Sequence, residues 1–160
     1  MSPFTLEDFV TESNRIEGLG PAQRHEITAH EDLLSERELS LVGLAHFVAV
    51  IAGAGLRQQV GMDVRVGRHL PPPGGPKIVG DLQVLLRGIG ERRLSAWEAH
   101  RRYETLHPFM DGNGRSGRAL WLWQMGGIRN APLGFLHTFY YQTLDASRFV
   151  AVPPAGETPE

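Results

Sequence analysis

A mainly α-helical fold with one short β-hairpin is predicted by three observations. Apolar residues recur at helical spacing over most of the chain, notably at 39–56 and 119–125. Two Ser-x-x-Glu patterns, Ser35 to Glu38 and Ser95 to Glu98, read as helix-opening capping boxes. Strand-like alternation occurs once, at Asp63-Val64-Arg65-Val66-Gly67, directly before a Pro/Gly-rich turn that contains Pro71, Pro72 and Pro73.

Taken in order, Thr5 can cap a first helix that turns Phe4, Leu6, Phe9 and Val10 toward the body and ends at Gly18 and Gly20-Pro21. Residues 22–34 suit a second helix. The Ser35 box should open a long apolar helix over 39–56, the expected central buried element; His46, its glycines and charged flanks speak against a membrane span. After the hairpin comes a leucine-rich helix from about Val79 to Leu86. The Ser95 box starts the helix that ends near Leu106. Residues 115–125 form the next, stopped by Gly126-Gly127, and 136–149 the last. Beyond 150 the chain has nothing to bury and reads as a disordered tail. The domain expectation is an N-terminal helical segment at 1–20, one helical domain at 21–149 and the tail at 150–160.

Composition narrows the class. With 160 residues, 41% of them hydrophobic, the chain suits a single core. A net charge of −2 gives no pull toward nucleic acid or anionic membrane, and the absence of cysteine excludes disulfides and thiolate chemistry, so the cytoplasm is the expected compartment. His25 and His30 are five apart, a spacing that does not share a helix face well, so no zinc site is expected.

Chemistry concentrates in His107-Pro108-Phe109-Met110-Asp111-Gly112-Asn113-Gly114-Arg115-Ser116-Gly117-Arg118. The glycines and Pro108 predict a tight loop at a helix N-terminus, where free N–H groups and the helix dipole favour phosphate. His107 is the group in the loop able to take a proton near neutral pH. Asp111 offers oxygen ligands to Mg²⁺, which binds through one or two carboxylates together with substrate phosphates. Gly112, Asn113, Gly114, Arg115 and Arg118 are the phosphate-binding candidates, and Phe109 anchors the loop in the core.

The loop resembles the Fic family signature, His-x-Phe-x-Asp/Glu-Gly-Asn-Gly-Arg-x-x-Arg, at every fixed position. The resemblance implies a Fic-type helical domain that transfers AMP from Mg·ATP to a hydroxyl of a target protein, with His107 as base and Asp111 holding Mg²⁺. The related Doc branch, which phosphorylates its target, has lysine where this chain keeps Gly114, and that favours adenylylation. Ser13-Asn14-Arg15-Ile16-Glu17-Gly18 resembles the family's inhibitory motif, which implies that Glu17, steadied by Ser13 one helical turn away and followed by Gly18, engages Arg118 and excludes the γ-phosphate. By the same resemblance Val64, Arg65, Val66 and Gly67 form the flap that docks an extended target strand, and Tyr140 and Tyr141 contribute to the adenine pocket. Some relatives also remove AMP through the same glutamate, so a bifunctional enzyme stays open, as does a homo-oligomer. Two other readings remain: transfer of phosphate or another nucleotide through the same site, and a nucleotide-binding regulatory or toxin–antitoxin partner with little turnover.

Overall fold

A computed structural model of the chain describes residues 4–131. It is helical, with α1 at Leu6–Ile16, α2 at Arg24–Ser35, α3 at Leu41–Ala52, α4 at Pro76–Gly90, α5 at Ala96–Leu106 and α6 at Asn113–Gln124, then a short 3₁₀ turn at Ile128–Asn130. The expected last helix at 136–149, with Tyr140 and Tyr141, and the tail at 150–160 lie outside the described residues.

Local chemistry explains most helix boundaries. Thr5 caps α1 in a reciprocal box: its hydroxyl accepts from Asp8 N–H while the Asp8 carboxylate accepts from Thr5 N–H. Ser95 Oγ accepts from Glu98 N–H and starts α5 where expected. The Ser35 box does not form. Ser35 closes α2, its hydroxyl donating to Asp32 O, and α3 is capped by Ser40, whose Oγ accepts from Gly43 N–H. A serine can bond backward to a carbonyl as readily as forward to an N–H, and the nearer alternative at Ser40 takes the cap. At the other end Gly53, in the left-handed region at φ 61°, stops α3 before residue 56.

The central helix is α6, not α3. It packs against α1, α2, α3 and α5 and buries nine residues from Asn113 to Leu122, whereas α3 buries Leu44, Phe47, Val48 and Ile51 and leaves Val42 80% exposed. α6 contains two arginines, yet both are enclosed, because each finds oxygen acceptors on a neighbouring helix. The main core joins α2 to α6 through Leu33, Leu44, Phe47, Ile78, Leu82, Tyr103 and Leu120. A second cluster brings Phe9 and Val10 of α1 onto Trp121 and Leu122 of α6.

The hairpin is shorter than its alternation suggests. Val64 and Val66 are half-buried while Asp63 and Arg65 are exposed, but the pairing is a single antiparallel bridge between Val66 and His69, closed by Gly67 at φ 57°. Pro71 to Pro73 lack the N–H groups needed to extend a ladder. A second isolated bridge pairs Leu56 with Phe109 and lays the chain after α3 beside the loop after α5.

Candidate active site

The chemistry of residues 107–118 is built at the junction of α5 and α6. α5 ends at His107, which has left-handed backbone angles (φ 49°, ψ 61°) and whose N–H donates to Tyr103 O at 2.9 Å. Pro108 then prevents further helix. Phe109 is fully buried, and both ends of the Asn113 amide are bonded to its backbone: Phe109 N–H donates to Oδ1 at 2.9 Å, and Nδ2 donates to Phe109 O at 2.8 Å. Asn113 is thus a brace that closes the loop. Gly112 begins the turn into α6 at φ 79°, and a Cβ there would collide with Ala52. Among the described residues no side chain caps the first turn of α6, so its leading N–H groups face the site.

His107 has 17% of its side chain exposed. Its Nδ1 lies 3.3 Å from Glu104 O, a carbonyl that can only accept, so the proton is on Nδ1 and the Nε2 lone pair is available. Burial holds the imidazole down at about 4; the Glu104 carbonyl opposes this, while the charges of Arg57 and His69 add to it. At neutral pH the ring is therefore a neutral proton acceptor. Asp111 is exposed, and its Oδ1 accepts from Gly112 N–H at 2.7 Å, which fixes the carboxylate beside the α6 N-terminus. An open carboxylate next to uncapped N–H groups fits the partial ligand set by which Mg²⁺ accompanies phosphates. Among the described residues no three His, Cys, Asp or Glu side chains gather as a metal cluster.

The two arginines differ in their employment. Arg115 Nη1 donates to Ile51 O at 2.8 Å, in the last turn of α3, where a cation also meets the negative end of the helix dipole. Arg118, 3% exposed, donates from Nε to Ser13 Oγ at 2.8 Å, and from Nη2 to Ser13 O at 3.0 Å and Glu17 Oε1 at 2.8 Å. Ser13 thus grips the arginine directly, where the sequence had suggested that it steadies Glu17. Gly18, at φ 73°, ends the segment in the left-handed region, which favours glycine.

Gly114 is helical and needs no positive φ. Its value is space: a Cβ would overlap Glu17 Oε1 and come within 3.1 Å of Arg118 Nη1. The Glu17 carboxylate therefore stands over the first turn of α6, where an anion would be received.

Three contributors were not singled out from the sequence. Glu104, one turn before His107, has an enclosed Oε1 with no hydrogen-bond partner among the described residues, and burial pushes its carboxyl up to about 8 against the pull of Arg118. His69 at the flap tip holds Thr105 O at 3.0 Å. Arg57 is fully buried behind His107. A charged residue just after an apolar run was the one signal available for Arg57.

Residues 55–125 match the sequence profile of the Fic/DOC family. Over that segment the chain is similar to the Fic/DOC family. The match contains the flap, α4, α5, the loop from His107 and all of α6, while α1 lies outside it. Among curated proteins none matches the chain. Similarity to the Fic/DOC family accords with a transferase built on a helical domain, and no described helix is long and apolar enough to cross a membrane.

Proposed function

We propose that the chain is a protein adenylyltransferase that moves AMP from Mg·ATP to a serine, threonine or tyrosine hydroxyl of a target protein, restrained by α1. The observation that carries the reading is the position of Glu17, bonded to Arg118 and held over Gly114 at the uncapped start of α6, beside a neutral His107. An acidic group bound there occupies the arginine and N–H groups suited to phosphate and repels a second anion.

With Glu17 withdrawn, the first-turn N–H groups of α6 and the freed Arg118 bind the phosphates. His107 Nε2 accepts the proton of the target hydroxyl as its oxygen bonds to the α-phosphorus, the bond from that phosphorus to the bridging oxygen breaks, and pyrophosphate leaves. Asp111 would hold Mg²⁺, which supplies charge neutralisation at the phosphates. The flap around Val64 to Gly67 offers backbone groups to an extended target segment.

Intact-protein mass and labelling after incubation with Mg·ATP test the reading. Glu17→Gly should gain the mass of AMP on itself or on an added cell extract, with label from the α- but not the γ-phosphate. Transfer of γ-label, or no transfer by Glu17→Gly alongside undiminished ATP binding, would remove adenylylation.

A further inference from the structure

The four carbonyls that end α5, those of Glu104, Thr105, Leu106 and His107, have no helical partners and would ordinarily face water. Side chains take them all: Glu104 O accepts from His107 Nδ1 at 3.3 Å, Thr105 O from His69 Nε2 at 3.0 Å, Leu106 O from Arg57 Nη2 at 2.9 Å and His107 O from Arg57 Nε at 2.7 Å. Leu106 O belongs to the peptide before His107 and His107 O to the peptide after it. Fixing both planes fixes φ and ψ of His107.

That conformation needs fixing. His107 and Arg92 are the non-glycine residues with positive φ among those described, and a left-handed residue persists only when its surroundings over-determine it. Arg57 also donates from Nη1 to Met62 O at 3.1 Å and to Pro72 O at 2.8 Å, one on each side of the flap. Its backbone continues the link: Arg57 N–H donates to Pro108 O at 2.9 Å and Arg57 O accepts from Gly75 N–H at 3.0 Å. Four of the five guanidinium donors are thus divided between the catalytic loop and the flap base. A guanidinium with none of its surface exposed is costly to desolvate, and its hydrogen bonds to the loop and the flap offset that cost.

On the adenylyltransferase reading above, we infer that Arg57 is a positioning residue that locks the base His107 in its left-handed conformation and ties it to the flap, so that target docking and base placement move together. A lysine can keep the charge but concentrates three donors on one atom and cannot span carbonyls on two segments. The base would then lose its fixed aim while the phosphate site, formed by α6, stays intact.

The decisive variant is Arg57→Lys, with Arg57→Met beside it, both in full-length Glu17→Gly chains. Three readouts are taken: AMP transfer, ATP affinity by calorimetry, and the His107 imidazole titration by NMR with amide exchange at 62–75 and 106–110. Arg57→Lys should lose on the order of 10²-fold in transfer at ATP affinity unchanged within about twofold, as expected for a misplaced group. Exchange should quicken in both segments together. In Arg57→Met the His107 titration should move to higher pH, because the charge that opposes protonation is gone. Transfer near the parent rate in Arg57→Lys would overturn the inference, and so would exchange that quickens at the flap alone. A parallel fall of ATP affinity and transfer with the His107 titration unmoved would make Arg57 a packing residue only. Should the Glu17→Gly parent transfer no AMP, the adenylyltransferase reading fails by itself, and the NMR and exchange results still decide whether Arg57 holds His107.

Discussion

At the scale of single residues, the proposed mechanism separates groups that would touch reactants from groups that hold them. His107 presents Nε2 because Nδ1 is committed to Glu104 O, and it is neutral because it is buried. On the proposed mechanism His107→Ala should therefore reduce transfer by about 10²- to 10⁴-fold with ATP affinity retained, since there the ring acts on the hydroxyl and α6 receives the phosphates; equal rates in parent and variant would exclude it as the base. Gly114 gives a less familiar prediction. The far end of the flexible Glu17 side chain is what an added methyl would meet, so Gly114→Ala should push Glu17 off Arg118 at a modest stability cost of about 1 kcal/mol. It should not activate, because the same methyl projects into the anion position. Faster amide exchange in α1 with ATP binding no better than the parent's is the expected pair of results; tighter ATP binding would show that the methyl leaves the phosphate position free.

At the scale of elements, α1 is fastened to α6 at two places of different chemistry. Phe9 and Val10 pack on Trp121 and Leu122, and Ser13 and Glu17, one and two turns further along the chain, bond to Arg118 one turn nearer the start of α6. Ser13→Ala removes the acceptor of Arg118 Nε but leaves the backbone acceptor and Glu17, so AMP labelling should rise less than in Glu17→Gly. Phe9→Ala should cost about 3–5 kcal/mol and raise labelling too if α1 is what restrains the site. Labelling that rises in Glu17→Gly but not in Phe9→Ala would mean that the carboxylate acts without the helix. The elements themselves were largely legible: the Thr5 and Ser95 caps, the Gly112 turn and the signature loop are all written in short sequence spans, whereas the Gly53 stop inside the apolar run of 39–56 was not read. What escaped was decided at long range. Ser35 and Ser40 offer equally good caps locally, and only the packed α2–α3 corner chooses between them. Arg118 could be read as a phosphate ligand from its spacing, but its bond to Ser13 joins residues 105 apart. Arg57 and His69 meet α5 carbonyls 36 to 50 positions away, and no local pattern foretells that.

At the scale of the whole molecule, buried titratable groups of opposite sense surround α6 and give stability a defined pH dependence. Burial lowers His30, His100 and His107 to about 4, below the ordinary 6.5, so between those values the unfolded chain binds protons that the folded chain refuses. Their contribution is complete above pH 6.5 and is lost as pH falls toward 4. Glu104, raised to about 8, has the opposite sign: the folded chain keeps a proton that the unfolded chain releases above about 4.5, so its contribution is complete below 4.5 and is lost as pH rises through 8. From 4.5 to 6.5 three histidines oppose one carboxyl and stability should climb; from 6.5 to 8 the carboxyl acts alone and stability should decline, more gently because a third of that side chain remains exposed. Denaturant unfolding from pH 4.5 to 8.5 should thus give a maximum near 6.5. His30 is enclosed between Phe9 and Phe47 with Nε2 unpartnered among the described residues, and His30→Phe should flatten the acid limb by on the order of 2–3 kcal/mol. Glu104→Gln, which copies the protonated carboxyl in shape and charge, should abolish the decline above 6.5 and leave the acid limb in place. If the parent is as stable at pH 8 as at 6.5, or if Glu104→Gln declines alongside it, Glu104 is ionised in the fold and Arg118 is shared between two carboxylates.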